Sequence, residues 1–167
     1  MKRLTTKFIL GLLLPLLLTL ASFGESDIKG DRMIEQNSTI APFTLNDQFG
    51  VEHTIDDMPR IVICSFGKES GKLISSYFNA KSADYLIDYS ILLMADVSGV
   101  PSLLRKTIIV PKMKKYTFNI LLSTQSEFMK QFPKQEDSLT LLKIDNAGVK
   151  EILFVNDEAG LKEAIEG

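Results

Sequence analysis

The chain has 167 residues, with 19 basic and 21 acidic side chains and a formal net charge of −2 at pH 7. Cys64 is its one cysteine and His53 its one histidine, which excludes an intramolecular disulfide, a cysteine-based zinc site and any site using two imidazoles. The acidic balance argues against nonspecific nucleic-acid binding, which needs a basic face.

The first 24 residues fall into three zones. Residues 1–7 hold Lys2, Arg3 and Lys7 and no acid, residues 8–20 are uncharged and almost wholly apolar, and Ala21-Ser22-Phe23-Gly24 precedes Glu25 and Asp27. This order predicts a secretory signal peptide over 1–24, cut after Gly24 or, alternatively, after Ala21. The apolar run is about 13 residues and contains Pro15, whereas a bilayer span takes roughly 20. That length favours cleavage over the alternative, an uncleaved inner-membrane anchor, and no cysteine follows for lipid attachment. Cleavage leaves 143 residues with 16 basic and 21 acidic side chains, enough chain for one domain with a single core.

Residues 25–40 read as a polar, irregular lead-in, and 41–167 as the folded domain. Phe43-Thr44-Leu45 and Val51 to Ile55 flank the turn-prone Asn46-Asp47-Gln48-Phe49-Gly50, predicting a hairpin. The continuous apolar run over 60–66 predicts a central strand covered on both faces. A helix is expected over 70–88, with Leu73, Ile74, Tyr77 and Phe78 on its apolar side. A second central strand is expected within 90–98. Pro101 is placed to begin a helix through about 116, which Pro111 breaks or bends. A third strand is expected over 118–122 and a short helix over 126–132. Strands over 139–144 and 151–155 are joined by the turn tetrad Asp145-Asn146-Ala147-Gly148. Asp157 caps a last helix carrying Leu161, Ala164 and Ile165. The sum is an α/β three-layer sandwich: a mixed central sheet, helices on both faces and an N-terminal β-hairpin.

Three pieces in this order resemble the thioredoxin-like superfamily in its peroxiredoxin-related form. They are Ala41-Pro42-Phe43-Thr44-Leu45-Asn46-Asp47-Gln48-Phe49-Gly50, the strand to Phe66 with its loop into a helix, and Lys143-Ile144-Asp145-Asn146-Ala147-Gly148. Within that superfamily, 60–78, the Ala95-Asp96-Val97-Ser98-Gly99-Val100-Pro101 stretch and the late pattern look most like the periplasmic YtfJ-type proteins, a resemblance that brings no activity with it. Redox-active members carry a C-x-x-C pair, and the matching positions here are Gly71 and Ile74. Their cis-proline falls about where Leu139 stands. The resemblance thus implies the shape of a thiol oxidoreductase without its redox pair.

Single residues yield little chemistry. Cys64 lies inside an apolar strand, the place of a buried small hydrophobe, whereas a nucleophilic thiol needs a helix N-terminus or a cation beside it. Gly67-Lys68-Glu69-Ser70-Gly71-Lys72 comes close to a phosphate-binding loop, but three residues separate the glycines where four are needed, and Leu73 follows the lysine. Lys68, Ser70 and Lys72 remain a weak anion-site candidate at a helix start. His53 among acids reads as a surface group, Asp96 stands at a strand's C-terminal end, and Lys112, Lys114 and Lys115 read as the wet side of a helix. No metal site and no cofactor is implied. The expectation is an exported periplasmic binding or scaffold module for an unidentified protein or peptide partner. The alternative is a single-cysteine peroxidase or thiol reductase using Cys64.

Overall fold

The computed structural model describes residues 32–146 and 148–167. The expected export signal and the first part of the lead-in lie outside them.

The strand-prone runs either side of the 46–50 turn pair antiparallel as β1 (Phe43–Asp47) and β2 (Glu52–Ile55), with Leu45 opposite His53. The turn closes at Gly50, whose φ of 86° suits a residue without a Cβ. The apolar runs become β3 (Ile61–Ser65) and β4 (Ile91–Asp96), which pair parallel, and β5 (Leu121–Ser123) extends them in parallel beside β4. β6 (Leu139–Asp145) returns antiparallel to β3, and β7 (Gly148–Val155) is the outer strand beyond it. The seven strands lie in the order β2-β1-β5-β4-β3-β6-β7, so the most apolar strands are central.

Alternation along each strand splits the core in two. Ile61 and Ile63 of β3 join Ile91, Leu93 and Leu141 on one face. That face is covered by α1 (Lys68–Asn79), α2 (Tyr85–Asp88), α3 (Ser102–Met113) and α5 (Glu158–Glu166). Val62 and Cys64 face the other way, toward Met94, Leu142 and Val149, under α4 (Ser126–Lys130) and the lead-in. Helices therefore lie on both faces of a mixed sheet. Asp157 caps α5 through an acceptor bond from the Gly160 N–H at 2.7 Å.

Several expected elements take different bounds. The helix expected over 70–88 is two helices, because the chain turns after Asn79 and brings Tyr85 back over Tyr77, their hydroxyls 2.9 Å apart. An unbroken helix would place these residues about 12 Å apart along its axis. The helix after Pro101 is not broken by Pro111. α3 runs as an α-helical Ser102–Leu104, a π-helical Arg105–Ile109 and an α-helical Val110–Met113. In the wide turn the Val110 N–H reaches back to the Arg105 carbonyl, and this π-turn lies just ahead of the proline, which has no N–H to donate.

The strand expected over 118–122 begins only at Leu121, since the polar groups of Phe118 and Ile120 bond to the Gln48 side chain instead of a strand. β7 starts at Gly148 rather than 151 and carries a bulge opposite Lys143 and Ile144. The lead-in is irregular but contributes to the core: Ile34 and Ile40 are buried, and Asn37 and Ser38 bond to both backbone groups of Val149. They shield that stretch of the outer strand.

Candidate functional site

β3 and β4 run parallel, so their C-terminal ends open on one edge, where α/β sheets place ligands. A cavity of about 830 Å³ lies at that edge. Its floor is the ends of the two strands, from Ser65 to Phe66 and from Ala95 to Val97. Ile109 and Met113 of α3, with Tyr116 just past its end, form one wall, and Met129 and Phe132 form another. Tyr116 is partly buried there, and loss of hydration pushes its phenol above the ordinary range against an opposing hydrogen bond from Ser75.

The rim is basic. Lys68 and Lys72 come from α1, Lys112 from α3, Lys130 from α4 and Lys134 from the segment after it, against Asp96 as the one lining acid among the described residues. Lys72 is held by both oxygens of Glu69 at 2.8 Å, and Lys130 pairs with Glu127. The hydrogen bond to Lys72 holds the Glu69 carboxyl below the usual range. Lys68, Lys112 and Lys134 make no ion pair among the described residues. Asp96 accepts the Ser98 N–H at 2.9 Å, which shapes the loop after β4.

The loop from β3 into α1 is organised by Ser70. Its Oγ accepts the Gly67 N–H at 3.1 Å and the Phe66 N–H at 3.2 Å, and its own proton reaches the Gly67 carbonyl at 3.2 Å. Gly67 is the N-cap of α1, and Ser70 at the third helical position bonds back to its N–H, the half of a capping box that does not need a side chain on the glycine. Of the three anion-site candidates, Lys68 and Lys72 face the cavity. Ser70 is buried behind the loop, and its hydroxyl takes the Phe66 and Gly67 N–H groups. Gly71 lines the cavity from the first turn of α1 and Ile74 is buried in the core, so neither position matched to the cysteine pair presents a side chain to solvent.

Cys64 is fully buried on the β3 face opposite α1, packed among Val62, Met94, Leu142 and Phe132. It lies outside the cavity lining. Burial without a cation or helix end pushes its thiol far above the ordinary range. His53 is not an isolated surface group: its Nε2 donates to Asp47 Oδ2 at 3.0 Å, and Asp47 Oδ1 accepts the Phe49 and Val51 N–H groups. This triad ties the hairpin. No group of three or more His, Cys, Asp or Glu side chains suited to a metal occurs among the described residues.

The sequence reading missed that Lys112 joins Lys68 at one rim. The signal was present in Ile109, Met113 and Tyr116, spaced by four and three, which place Lys112 beside the cavity-facing side of α3. Lys130 and Lys134 reach the rim only through the packing of α4 against Phe43 and the core.

No protein-family model and no curated protein matches the chain. Solved structures do. A putative protein disulfide isomerase from Bacteroides thetaiotaomicron superposes with a TM-score of 0.54 at 13% identity, over 80% of this chain and 87% of that one. Peroxidoxin BcpB from Mycobacterium tuberculosis gives 0.54 at 16% identity, over 80% and 95%. StoA from Bacillus subtilis gives 0.51 at 17% identity, over 76% and 98%. At these identities the likeness carries the fold alone. The chain has a thioredoxin-like fold, related in architecture to the peroxiredoxin-like proteins, and with one cysteine it lacks a redox pair.

Proposed function

We propose that this is an exported, periplasmic binding module that uses the thioredoxin-like fold without thiol–disulfide exchange. The observation that carries the reading is the cavity at the C-terminal ends of β3 and β4, lined by glycine, hydroxyl and lysine groups, with the one thiol sealed on the other side of β3. Exchange needs an accessible thiolate and a second sulfur, and a binding site needs only a concave, largely apolar surface with a few polar groups. The leader composition supports export, and no helix among the described residues is long and apolar enough to cross a membrane.

Thiol labelling of the native protein tests the redox part of the reading. Cys64 is expected to react with an aromatic disulfide reagent only after denaturation, and the native protein to reduce neither peroxide nor a protein disulfide. Rapid labelling near pH 6, or turnover lost on Cys64→Ala, would return the single-cysteine enzyme. The mass of protein recovered from the periplasm tests export: a chain beginning at residue 22 or 25 is expected, and an intact leader would make it membrane-anchored.

A further inference from the structure

We infer that the cavity takes a small organic anion with an apolar body, the chemistry of a medium-chain carboxylate or alkyl phosphate. This rests on the cavity's being a binding site, and it adds the class of ligand. The interior and the rim make opposite demands. Phe66, Ile109, Met113 and Tyr116, all partly exposed, offer thioether, aromatic and branched apolar surface with few polar partners, which suits an apolar body. The rim sets five lysines from three sides against one aspartate, in a chain whose net charge is negative. Such a concentration of one sign around a concave mouth draws anions.

Local pairing sharpens the selection. Glu69 holds Lys72, and Glu127 holds Lys130. Lys68, Lys112 and Lys134, from the start of α1, the end of α3 and the segment after α4, have no such carboxylate among the described residues. Glu69 also lies in the field of Lys68, but its hydrogen bond goes to Lys72. An anionic head at the mouth would satisfy these ammonium groups while its apolar part fills the space below. A bare anion would gain only screened surface attraction. A neutral chain would leave the rim unused.

Calorimetric titration of the whole exported protein with decanoate, decyl phosphate, decanol, acetate and inorganic phosphate decides the matter. Decanoate or decyl phosphate is expected to bind one to one, and the tighter of the two identifies the head group. Decanol is expected to bind at least about tenfold more weakly, and acetate and inorganic phosphate not to bind. Lys68→Ala, Lys112→Ala and Lys134→Ala are each expected to weaken binding by about three- to tenfold, and added salt to weaken it further. These lysines are exposed, so the variants keep the fold. Equal binding of decanol, indifference to the three substitutions, or no binding of either alkyl anion overturns the inference. Binding of a neutral molecule or peptide in the cavity would still leave the binding module standing, and that reading falls only on the thiol and export tests.

Discussion

The side-chain amide of Gln48 stands in for a neighbouring strand at Ile120, accepting its N–H at 2.9 Å while donating to the Phe118 carbonyl at 2.7 Å. Gln48 is 1% exposed, so both backbone groups depend on it for pairing away from water. Gln48→Leu is expected to lower stability by about 2–4 kcal/mol, because it strands one donor and one acceptor. Urea unfolding of the two proteins at equal m-value measures this; a loss below half a kilocalorie would mean that water replaces the amide.

Asp47 predicts an acid-sensitive hairpin. Its burial works against the charge, but bonds from His53, Val51 and Phe49 outweigh it and hold the carboxyl below its ordinary 3.8. The folded value lies below the unfolded one. The contribution is therefore complete above about pH 4 and is lost as pH falls through the folded value. Asp47→Asn should cost about 1–2 kcal/mol at neutral pH. The gap to wild type should narrow as pH is lowered toward 2, read from unfolding curves at each pH. A gap that does not change with pH counts against the ionic account.

Two glycines with positive φ are expected to respond differently to alanine. Gly50 has φ 86° and open space where a Cβ would stand, so Gly50→Ala should cost about 1 kcal/mol of backbone strain. Gly148 has φ 114°, and a Cβ there would lie 2.6 Å from the Ser38 carbonyl oxygen. Gly148→Ala must also displace the lead-in from β7, and a loss of more than about 2 kcal/mol is expected. Thermal unfolding of both variants gives the ranking, and equal losses would mean that the lead-in yields freely.

Tyr85 links three helices. Its hydroxyl donates to Glu166 at 3.0 Å and accepts from Tyr77, while the Lys81 ammonium lies 4.2 Å from the Tyr77 ring centre and 4.8 Å from that of Tyr85. Burial, then the bond donated to Glu166, pushes its phenol above the ordinary range. Tyr85→Phe should cost about 1–2 kcal/mol. Combined with Tyr77→Phe, the total should fall short of the sum by at least about 0.5 kcal/mol, since both changes break one bond. A double-mutant cycle in urea measures the shortfall, and strict additivity would dissolve the chain of hydroxyls.

The layered fold was legible in the sequence because its signals are local. Apolar runs such as 61–65 and 91–95 announce central strands, and Asp157 marks its own helix. Several misses depend on a partner that the local pattern does not reveal. Nothing near Ile120 says that Gln48 will take its N–H, and nothing near Asn79 says that Tyr85 must return to Tyr77. Lone residues were read as their neighbours suggested, which gave the burial of Cys64 but not the particular partner of His53, Asp47 across the hairpin. The anion candidates divided on the same ground. Counting placed Lys68, Ser70 and Lys72 together, whereas the helix start turns the hydroxyl inward and brings Lys112 and Lys134 in from elsewhere.

The stitching of Asn37 and Ser38 to Val149 bears on how the chain matures. During synthesis Ile34 and Ile40 emerge early, but the surface that receives them is finished only when β6 and β7 have been made, over a hundred residues later. Pairing across so long a separation is slow to nucleate. A nascent chain that has not yet reached its final hairpin therefore lacks the surface on which its lead-in settles, and that contact forms last.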